Sequence, residues 1–427
     1  MQPNSSTLRF STDGEILKGR NLDLIMKYVV LLGDGMSDYP LAEKAMQTPL
    51  QLSQIPVMNS LAQQGMLGLV KTIPEGMSPG SDVANLSVMG YDPTQYYTGR
   101  APIEAASIGV ILDKDDVAFR CNLVTLSGEE RDPCMEDYSA GHIGTDEARA
   151  IIQALKQELE SSDIKFYCGV GYRHLVVWKN GIDKMITTPP HDISGRKITP
   201  YLPQGDGAAK LLELMEKARK IIPSLPISQG KMGQERKFAN AIWLWGQGRS
   251  LSIPSFKEKY GLTGVVISAV DLVKGLGICA GLSPINVPGA TGYLDTNYEG
   301  KAMAALDALE RVDFVYLHVE APDEAGHKGN VAEKIQTIED FDRRVVKLVI
   351  EGLQERCVEY RVLILPDHPT PLVIKTHAAD AVPFILFSSQ DLYKKQRRGI
   401  GFNEKDAAAS GVFIKSGWEL MDRFIKC

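Results

Sequence analysis

Three apolar runs along the chain are each followed by residues that commonly bind metals. The runs cover 28–33, 314–319 and 360–366. Their length and their content of β-branched residues are typical of fully buried parallel strands. Because ligands bind beyond the carboxyl ends of strands in open α/β sheets, the residues that follow these runs are expected to meet at one sheet edge. Carboxylates and imidazoles gathered there predict a metal site, with five candidate ligands: Asp34, Asp323, His327, Asp367 and His368.

The pattern of apolar positions changes after about residue 113. Before that point, the apolar spacing predicts a helix over 55–65 and a second helix that begins at Ser81. After it, the pattern predicts antiparallel strands at 121–126 and 165–177. It also predicts amphipathic helices at 147–160 and 207–220. None of the strand-end acids lies in this stretch, which we interpret as an inserted α+β cap.

Strand and helix alternation resumes after a segment rich in Pro, Gly and Ser at 223–237. The resumed pattern predicts strands at 241–245 and 264–267 and a long helix over 332–353. We therefore predict an α/β fold whose core is a doubly wound sheet interrupted once. The predicted parts are a polar N-terminal extension at 1–25, a core formed by 26–112 and 237–427, and an inserted cap or substrate domain at 113–236. The sequence leaves open whether translation starts at Met1 or at Met26.

Composition and charge exclude several classes of function. The net charge of −6 and the pI near 5.8 argue against nucleic acid or an anionic membrane as partner. No run approaches the ~18 apolar residues of a membrane span, and residues 1–25 lack the apolar core of a signal peptide. The six cysteines show no CxxC spacing, so they predict reduced thiols in a cytoplasmic protein.

Two further residues extend the predicted site. His377 lies in a loop nine residues after His368, and it could add an imidazole ligand or be a solvated loop residue. Ser81 follows a Gly/Pro-rich loop at a helix start, where orphan N–H groups and the helix dipole stabilise an anion. A metal-bound serine hydroxyl loses its proton more easily and becomes a nucleophile. The alternative for Ser81 is a simple helix N-cap.

Candidate substrate contacts come from arginine and histidine. Arg100 follows the Ser81 helix in a glycine loop, and Arg120 lies at the crossing into the inserted domain. Guanidinium groups hold phosphate and carboxylate bidentately. His191, in a Pro-Pro-His-Asp turn, could reach the same substrate. The alternatives are surface salt bridges for the arginines and an ordinary turn residue for the histidine.

Several motifs occur together in one order. They are Gly33-Asp34-Gly35-Met36, Pro79-Gly80-Ser81-Asp82, Gly90-Tyr91-Asp92-Pro93, Pro288-Gly289-Ala290-Thr291-Gly292, Asp323-Glu324-Ala325-Gly326-His327 and Asp367-His368. With this set the chain resembles the archaeal-type cofactor-independent phosphoglycerate mutases of the alkaline phosphatase superfamily. The resemblance runs from about Lys27 nearly to the C-terminus.

The resemblance implies an alkaline-phosphatase-like core, two divalent ions (Mn²⁺, Zn²⁺ or Mg²⁺) and no bisphosphoglycerate. It implies a phosphoserine intermediate at Ser81, a lysine at Lys274 that neutralises the transferring phosphoryl group, and a small phosphorylated substrate. The ions would be held in two groups, one formed by Asp34, Ser81, Asp367 and His368 and the other by Asp323, His327 and His377.

Two positions depart from the mutase pattern. Asn85 stands where these mutases usually have His, and His142 stands where archaeal-type mutases tend to have Arg. Both are candidate substrate contacts, and the local sequence looks like a sister branch proposed to be homoserine kinases. We predict interconversion of 3- and 2-phosphoglycerate as the function, with ATP-dependent phosphorylation of homoserine as the alternative. The two departures lead us to expect mutase activity weaker than that of a typical mutase, or none. A homoserine kinase would have to bind ATP without a P-loop, because the chain has none.

A non-catalytic metal- or phosphate-binding protein is the alternative from another class, and the complete ligand set argues against it. The sequence leaves open the acceptor, the native metal and the oligomeric state.

Overall fold

In a computed structural model of the protein, the described residues are 26–129, 131–229, 237–356, 358–393 and 397–426. The predicted extension at 1–25 and most of the second half of the predicted linker lie outside these residues. Among the helices that the structure describes, none combines the length and apolar character that a bilayer span requires.

The strands form two main sheets and one short ribbon. In chain order they are β1 Lys27–Gly33, β2 Met66–Val70, β3 Val117–Ser127, β4 Cys134–Asp137, β5 Ile164–Tyr167, β6 Arg173–Trp178, β7 Met185–Ile186, β8 Gln204–Gly205, β9 Ala241–Gly248, β10 Gly264–Ile267, β11 Ser283–Ile285, β12 Phe314–Val319, β13 Tyr360–Leu365, β14 Val382–Ser388 and β15 Phe413–Ile414.

The helices cover both faces of the larger sheet and both faces of the smaller sheet. In chain order they are α1 Pro49–Leu52, α2 Pro56–Gln64, α3 Ser81–Val88, α4 Pro93–Tyr96, α5 Arg100–Ser107, α6 Thr145–Leu159, α7 Ala208–Ile221, α8 Pro226–Gln229, α9 Phe256–Tyr260, α10 Asp271–Cys279, α11 Tyr298–Ala308, α12 Ala321–Lys328, α13 Val331–Phe341, α14 Lys347–Glu355, α15 Glu404–Ala409 and α16 Glu419–Lys426.

The larger sheet has eight strands in the order β11-β10-β12-β1-β13-β14-β2-β15. Strands β10, β12, β1 and β13 run parallel, and β14 is antiparallel to both its neighbours. One apolar cluster lies on each face of the sheet, which explains why β1, β12 and β13 are almost uniformly apolar. The predicted α/β class and doubly wound core are therefore confirmed.

The predicted helix over 332–353 is continuous but irregular. It consists of α13, a π-helical turn at Asp342–Val346, and α14. Such a turn inserts an extra residue into the i→i+4 ladder, which the apolar periodicity does not reveal. The helix predicted over 55–65 is α2, which begins with a proline at its first position.

The smaller sheet has the order β4-β3-β6-β5, with β9 paired to the free side of β3. The pairing of β9 corrects one boundary. We assigned 241–245 to the core because the predicted inserted domain ended at residue 236, yet the inserted sheet extends through Gly248. The apolar sequence of β9 is compatible with either sheet, and only the strand with which it pairs determines the sheet to which it belongs.

A close backbone contact lies between the residue that precedes α5 and the end of β9. Gly99, with φ 145°, precedes α5, and a Cβ on it would lie 2.0 Å from the carbonyl oxygen of Gln247 at the end of β9. Only glycine permits both this φ and this approach. The contact fixes the start of α5 against the inserted sheet.

Candidate active site

The carboxyl ends of β1 and β13 bring the first group of side chains together. Ser81 Oγ, at the first position of α3, lies 3.1 Å from His368 Nε2. The same Nε2 lies 3.6 Å from Asp34 Oδ1 and 3.5 Å from Asp367 Oδ2. Three of the four predicted members are fully buried, and Ser81 is half-buried at the rim.

A second group lies directly beside the first. His327 Nε2 is 3.1 Å from Asp323 Oδ2 and 3.0 Å from His377 Nε2. His377 Nε2 lies 3.6 Å from Asp323 Oδ1. The rings of His368 and His377 have centroids 4.1 Å apart, so the two groups share one edge of the sheet. Tertiary folding therefore brings together all seven predicted ligands.

Hydrogen bonds orient the imidazoles toward the centre of these groups. His327 Nδ1–H donates to the carbonyl oxygen of Lys375 at 3.0 Å, which turns Nε2 toward Asp323. Burial acts to lower the pKa of His327, but the contact with Asp323 raises it to about 9, so a cation would bind at Nε2 in place of a proton. His368 Nδ1 lies 3.3 Å from Thr370 Oγ1, which itself donates to Asp323 Oδ1, so His368 Nε2 is free to bind a cation, as in most histidine metal ligands.

The carboxylates also fit bound cations. Asp34 Oδ1 is buried and has no hydrogen-bond partner among the residues that the structure describes. Burial and the neighbouring Asp367 and Asp323 hold the pKa of Asp34 well above its usual value. Burial also acts to raise the pKa of Asp323, but its contacts with His327 and His377 bring it well below the usual range. An unpaired buried carboxylate oxygen is costly unless a cation neutralises it.

His318 is a site residue that the sequence analysis missed. It is the fifth residue of β12, and its Nε2 lies 2.9 Å from Asp34 Oδ2. An ionised Asp34 can only accept, so the His318 Nε2–H donates to it, and Nδ1 of the neutral ring accepts from the Ser268 hydroxyl at 3.1 Å. Val270 N–H in turn donates to Ser268 Oγ at 3.0 Å. Burial lowers the pKa of His318 to about 3, which keeps the ring neutral. The sequence feature that could have identified His318 is its position as a histidine within a continuous apolar strand.

Asn85 lies behind the metal-binding edge. Its Nδ2 donates to Asp367 Oδ2 and to the carbonyl oxygen of Ser81, both at 2.8 Å, and its Oδ1 accepts from the Tyr316 hydroxyl at 2.7 Å. The side chain is fully buried, and all its hydrogen-bonding capacity is used within the protein. This geometry contradicts the prediction that Asn85 contacts substrate, because an asparagine on the second turn of α3 faces the sheet.

Two lysines lie near the site in different environments. Lys274 on α10 is largely covered and contacts Asp271 Oδ1 at 3.3 Å, and its catalytic role stays a prediction. Lys301 on α11 was missed. It is fully buried, and its Nζ donates to the carbonyl oxygen of His318 at 3.1 Å. Burial lowers the pKa of Lys301 to about 8.

A cavity of about 220 Å³ opens between the two sheets next to the second group. Its charged lining comes from both parts of the fold: Arg100, Glu104, Arg120, Arg173, Asp271, Glu320 and Glu324. Burial, with Asp323 and Glu324 nearby, raises the pKa of Glu320 to about 8. Arg173, at the start of β6, is an arginine that the sequence analysis did not select.

The predicted substrate contacts divide between this cavity and the surface of the inserted sheet. Arg100 and Arg120 line the cavity. His191 packs edge-on against Trp245 with centroids 5.4 Å apart, and the Arg120 guanidinium lies 4.3 Å from the same indole ring. His142 is exposed in a turn after β4, with φ 52°, and its N–H donates to Ser139 Oγ. The substrate roles of Arg100, Arg120, His191 and His142 stay predictions.

Comparison with known proteins gives consistent relatives. Residues 62–228 match the model of the 2,3-bisphosphoglycerate-independent phosphoglycerate mutase family. A probable mutase of this kind from Geobacter sulfurreducens is 53% identical over 94% of this chain and 100% of that protein. A mutase from Methanothrix thermoacetophila is 55% identical over 85% of this chain and 91% of that protein.

Solved structures agree with these sequence relatives. A Pyrococcus horikoshii protein superposes with a TM-score of 0.78 at 27% identity, covering 94% of this chain and 97% of that one. A cofactor-independent phosphoglycerate mutase from Thermoplasma acidophilum superposes with a TM-score of 0.64 at 25% identity, covering 94% and 99%. Near-complete coverage at about half identity shows that the chain belongs to the 2,3-bisphosphoglycerate-independent phosphoglycerate mutase family.

Proposed function

We propose that this protein interconverts 3- and 2-phosphoglycerate through a phosphoserine at Ser81. The observation that carries the proposal is the position of the Ser81 hydroxyl, 3.1 Å from His368 Nε2 on the same edge as the buried, unpartnered Asp34 Oδ1. Family membership supports the same reaction. The homoserine kinase alternative gains no support from the relatives.

Two divalent ions would fit the two groups of ligands. We assign one to Asp34, Ser81, Asp367 and His368, and the other to Asp323, His327 and His377. Converging ligand atoms within 4.8 Å of one another support the second group directly, since Asp323, His327 and His377 form one such cluster. Two further clusters both contain Asp34, one with Asp323 and His368 and the other with His318 and Asp367. Mixed Asp and His ligation suits Mn²⁺ or Zn²⁺ and tolerates Mg²⁺. When bound, such ions neutralise phosphoryl oxygens and lower the pKa of a ligating hydroxyl.

The residues of the chain account for the remaining chemistry. Ser81 Oγ forms a bond to phosphorus as the ester bond to glycerate breaks, and the released glycerate oxygen takes up a proton. The glycerate then turns within the cavity, and its other hydroxyl accepts the phosphoryl group from Ser81. The proton that Ser81 loses ends on the released glycerate oxygen, and His368 Nε2, with its lone pair facing Ser81, would be a ligand of the ion and not the base. Arg100 and Arg120 can hold the anionic groups of glycerate bidentately.

The inserted sheet would protect the phosphoserine from hydrolysis. We infer that the residues of the inserted domain, extended to include β9, act as a cap that excludes water when substrate is bound. The cavity lies between the sheets and is lined from both sides, which supports this role. The division into core and cap thus carries a function, because phosphoryl transfer to water would turn the mutase into a phosphatase.

The proposal is tested by steady-state assay of the metal-loaded protein. We expect 3-phosphoglycerate to yield 2-phosphoglycerate without added bisphosphoglycerate, and we expect no phosphorylation of homoserine in the presence of ATP. Parallel assays with Mn²⁺, Zn²⁺ and Mg²⁺ identify the effective metal. Absence of mutase turnover with all three ions, together with ATP-dependent formation of phosphohomoserine, would contradict the proposal.

A further inference from the structure

One carboxylate joins the two arginines of the cavity. Glu104 Oε1 lies 3.2 Å from Arg100 Nε, one turn earlier on α5. Glu104 Oε2 lies 2.9 Å from Arg120 Nε on β3. Helix α5 belongs to the larger sheet's part of the fold, and β3 belongs to the inserted sheet. Glu104 therefore bridges the two parts of the molecule at the cavity wall.

The contacts occupy only the inner nitrogen of each guanidinium. In the described ranges of the chain, the terminal Nη nitrogens of Arg100 and Arg120 make no hydrogen bond to protein. A guanidinium recognises phosphate or carboxylate through paired N–H groups. Glu104 thus holds Arg100 by a hydrogen bond at Nε, whereas it contacts Arg120 Nε as an ion pair without hydrogen-bond geometry. The terminal donors of both arginines remain available to an anion in the cavity.

A second set of contacts restrains the Arg120 guanidinium from its face. The guanidinium lies 4.3 Å from the Trp245 ring centroid, and Trp245 Nε1 donates to Asn122 Oδ1 at 3.0 Å. The Arg120 side chain is only 7% exposed. Burial lowers the pKa of Arg120 to about 10, which still leaves it charged at neutral pH. Its orientation is therefore fixed by a carboxylate at one edge and an indole on one face.

Positive charge is in local excess where Arg100 and Arg120 line the cavity, although Arg173, Asp271, Glu320 and Glu324 line it too. Glu104 supplies one negative charge to two guanidinium groups, so this trio keeps one net positive charge. Burial disfavours the ionised form of the nearby Glu320, whose pKa is raised to about 8. Arg100 also lies close enough to Asp82, the neighbour of Ser81, for their charges to interact. The arginine pair therefore faces the cavity beside the start of the Ser81 helix.

We propose that Glu104 is a positioning residue that aims Arg100 and Arg120 at the anionic groups of the substrate. This inference rests on the proposed function for the identity of the substrate. The clamp formed by Glu104, Arg100 and Arg120 acts on binding, because the Glu104 carboxylate contacts the two arginines that line the cavity. Loss of the Glu104 charge lets each guanidinium rotate and weakens substrate binding more than chemistry.

The test is kinetic analysis of Glu104→Gln in the full, metal-loaded protein. We expect KM for 3-phosphoglycerate to rise about tenfold while kcat changes less than about threefold. Glu299→Gln is the matched control, since Glu299 holds Arg344 through two nitrogens away from the cavity. The control should keep the wild-type KM. An unchanged KM in Glu104→Gln would overturn the proposal.

A double-mutant cycle separates positioning from a general structural role. If Glu104 acts through Arg120, Glu104→Gln should add less than about twofold to KM in an Arg120→Lys background. Fully additive effects would overturn the proposal. Should Glu104→Gln fail to fold, Glu104→Asp keeps the charge but shortens its reach, and its KM should also rise.

Calorimetric binding of 3-phosphoglycerate separates this inference from the reaction itself. Weaker binding in Glu104→Gln than in wild type supports the clamp even if the wild-type protein shows no mutase turnover. Equal binding in both proteins would overturn the clamp while leaving the proposed reaction intact.

Discussion

At the scale of single residues, the Ser81 hydroxyl is the atom on which the proposed reaction depends. Ser81→Ala removes one hydroxyl at the rim, and we expect turnover to fall at least about 1,000-fold. The unfolding free energy should change by less than about 1 kcal/mol, because no buried bond of the protein is lost apart from the contact with His368. Assay and denaturant unfolding measure the two effects.

The matched control for Ser81 lies on the same helix. Ser87 is fully buried on α3, and its Oγ has no hydrogen-bond partner among the described residues. Ser87→Ala should therefore keep its activity. A Ser81→Ala protein with most of its activity would contradict a phosphoserine intermediate.

His318 should act on metal binding through Asp34. Its Nε2–H occupies Asp34 Oδ2, which leaves the unpartnered Oδ1 facing the proposed ligand group. We expect His318→Asn to weaken metal binding by about 10- to 100-fold, the usual effect of losing a residue that orients a ligand. Metal titration of the metal-free protein measures this affinity.

His174→Asn provides the comparison for His318→Asn. His174 is a buried histidine of β6, and its Nδ1 accepts the Gly169 N–H at 3.0 Å. It has no contact with the proposed ligands, so its loss should leave metal affinity unchanged. Equal metal affinity in wild type and His318→Asn would rule out the orienting role of His318.

At the scale of elements, the π-helical turn between α13 and α14 places Asp342 at the start of α2. The Asp342 carboxylate accepts the N–H groups of Met58 and Val57 at 2.7 and 3.2 Å. Burial raises its pKa to about 6. The unfolded value is about 3.9, so between these two pH values the folded state binds a proton that the unfolded state has lost.

The raised pKa of Asp342 predicts the direction in which stability changes with pH. Because the raised pKa favours the protonated folded state, the contribution of Asp342 to stability should fall as pH rises from about 4 to about 6 and then level off. Asp342→Asn removes this contribution while keeping one acceptor for α2. The unfolding free energy of the variant minus that of wild type should therefore rise by about 1–3 kcal/mol from the low to the high end of this window.

Urea unfolding of the metal-free protein at several pH values measures the slope. Metal-free protein is needed because metal release also depends on pH. Asp340→Asn, which removes a carboxylate paired with Arg343 near the end of α13, is the matched control. An Asp342→Asn variant with the wild-type slope would contradict the assignment.

At the scale of the whole molecule, the proposed ions would join loops that are far apart in sequence. The two ligand groups come from the ends of β1, β12 and β13, and from α3 and the loop before β14. Ligands that bind only the folded state stabilise it by about 2.7 kcal/mol per site at 100 times Kd. Chelation should therefore lower the melting temperature by several degrees, at about 2–4 °C per kcal/mol.

Calorimetric melting with and without chelator, followed by return of each metal, measures this stabilisation. The active ion should restore the melting temperature in parallel with activity. Identical melting temperatures before and after complete metal removal would contradict binding of the ions to the native fold.

Much of the architecture was determined by the sequence alone. Uniformly apolar runs at β1, β12 and β13 could only be buried parallel strands, and the acids after them had to meet at one edge. Ser81 was identifiable because a glycine-rich approach and a helix start are local features. The seven proposed ligands were predictable for the same reason, since each follows a strand or a turn that its neighbours specify.

Only the tertiary structure decided which partners these residues have. β9 joined the inserted sheet because β3 offered a free edge, and the apolar pattern of β9 fits either sheet. Asn85, chosen as a substrate contact, is saturated by Asp367 and Tyr316, which lie 282 and 231 residues away in the chain. His318 carried only one local signal, its place within an apolar strand, and Glu104 carried none. The partners of both are distant in sequence and leave no trace in residue spacing. Local patterns determine elements and their ends, whereas the contacts between those ends exist only once the chain has folded.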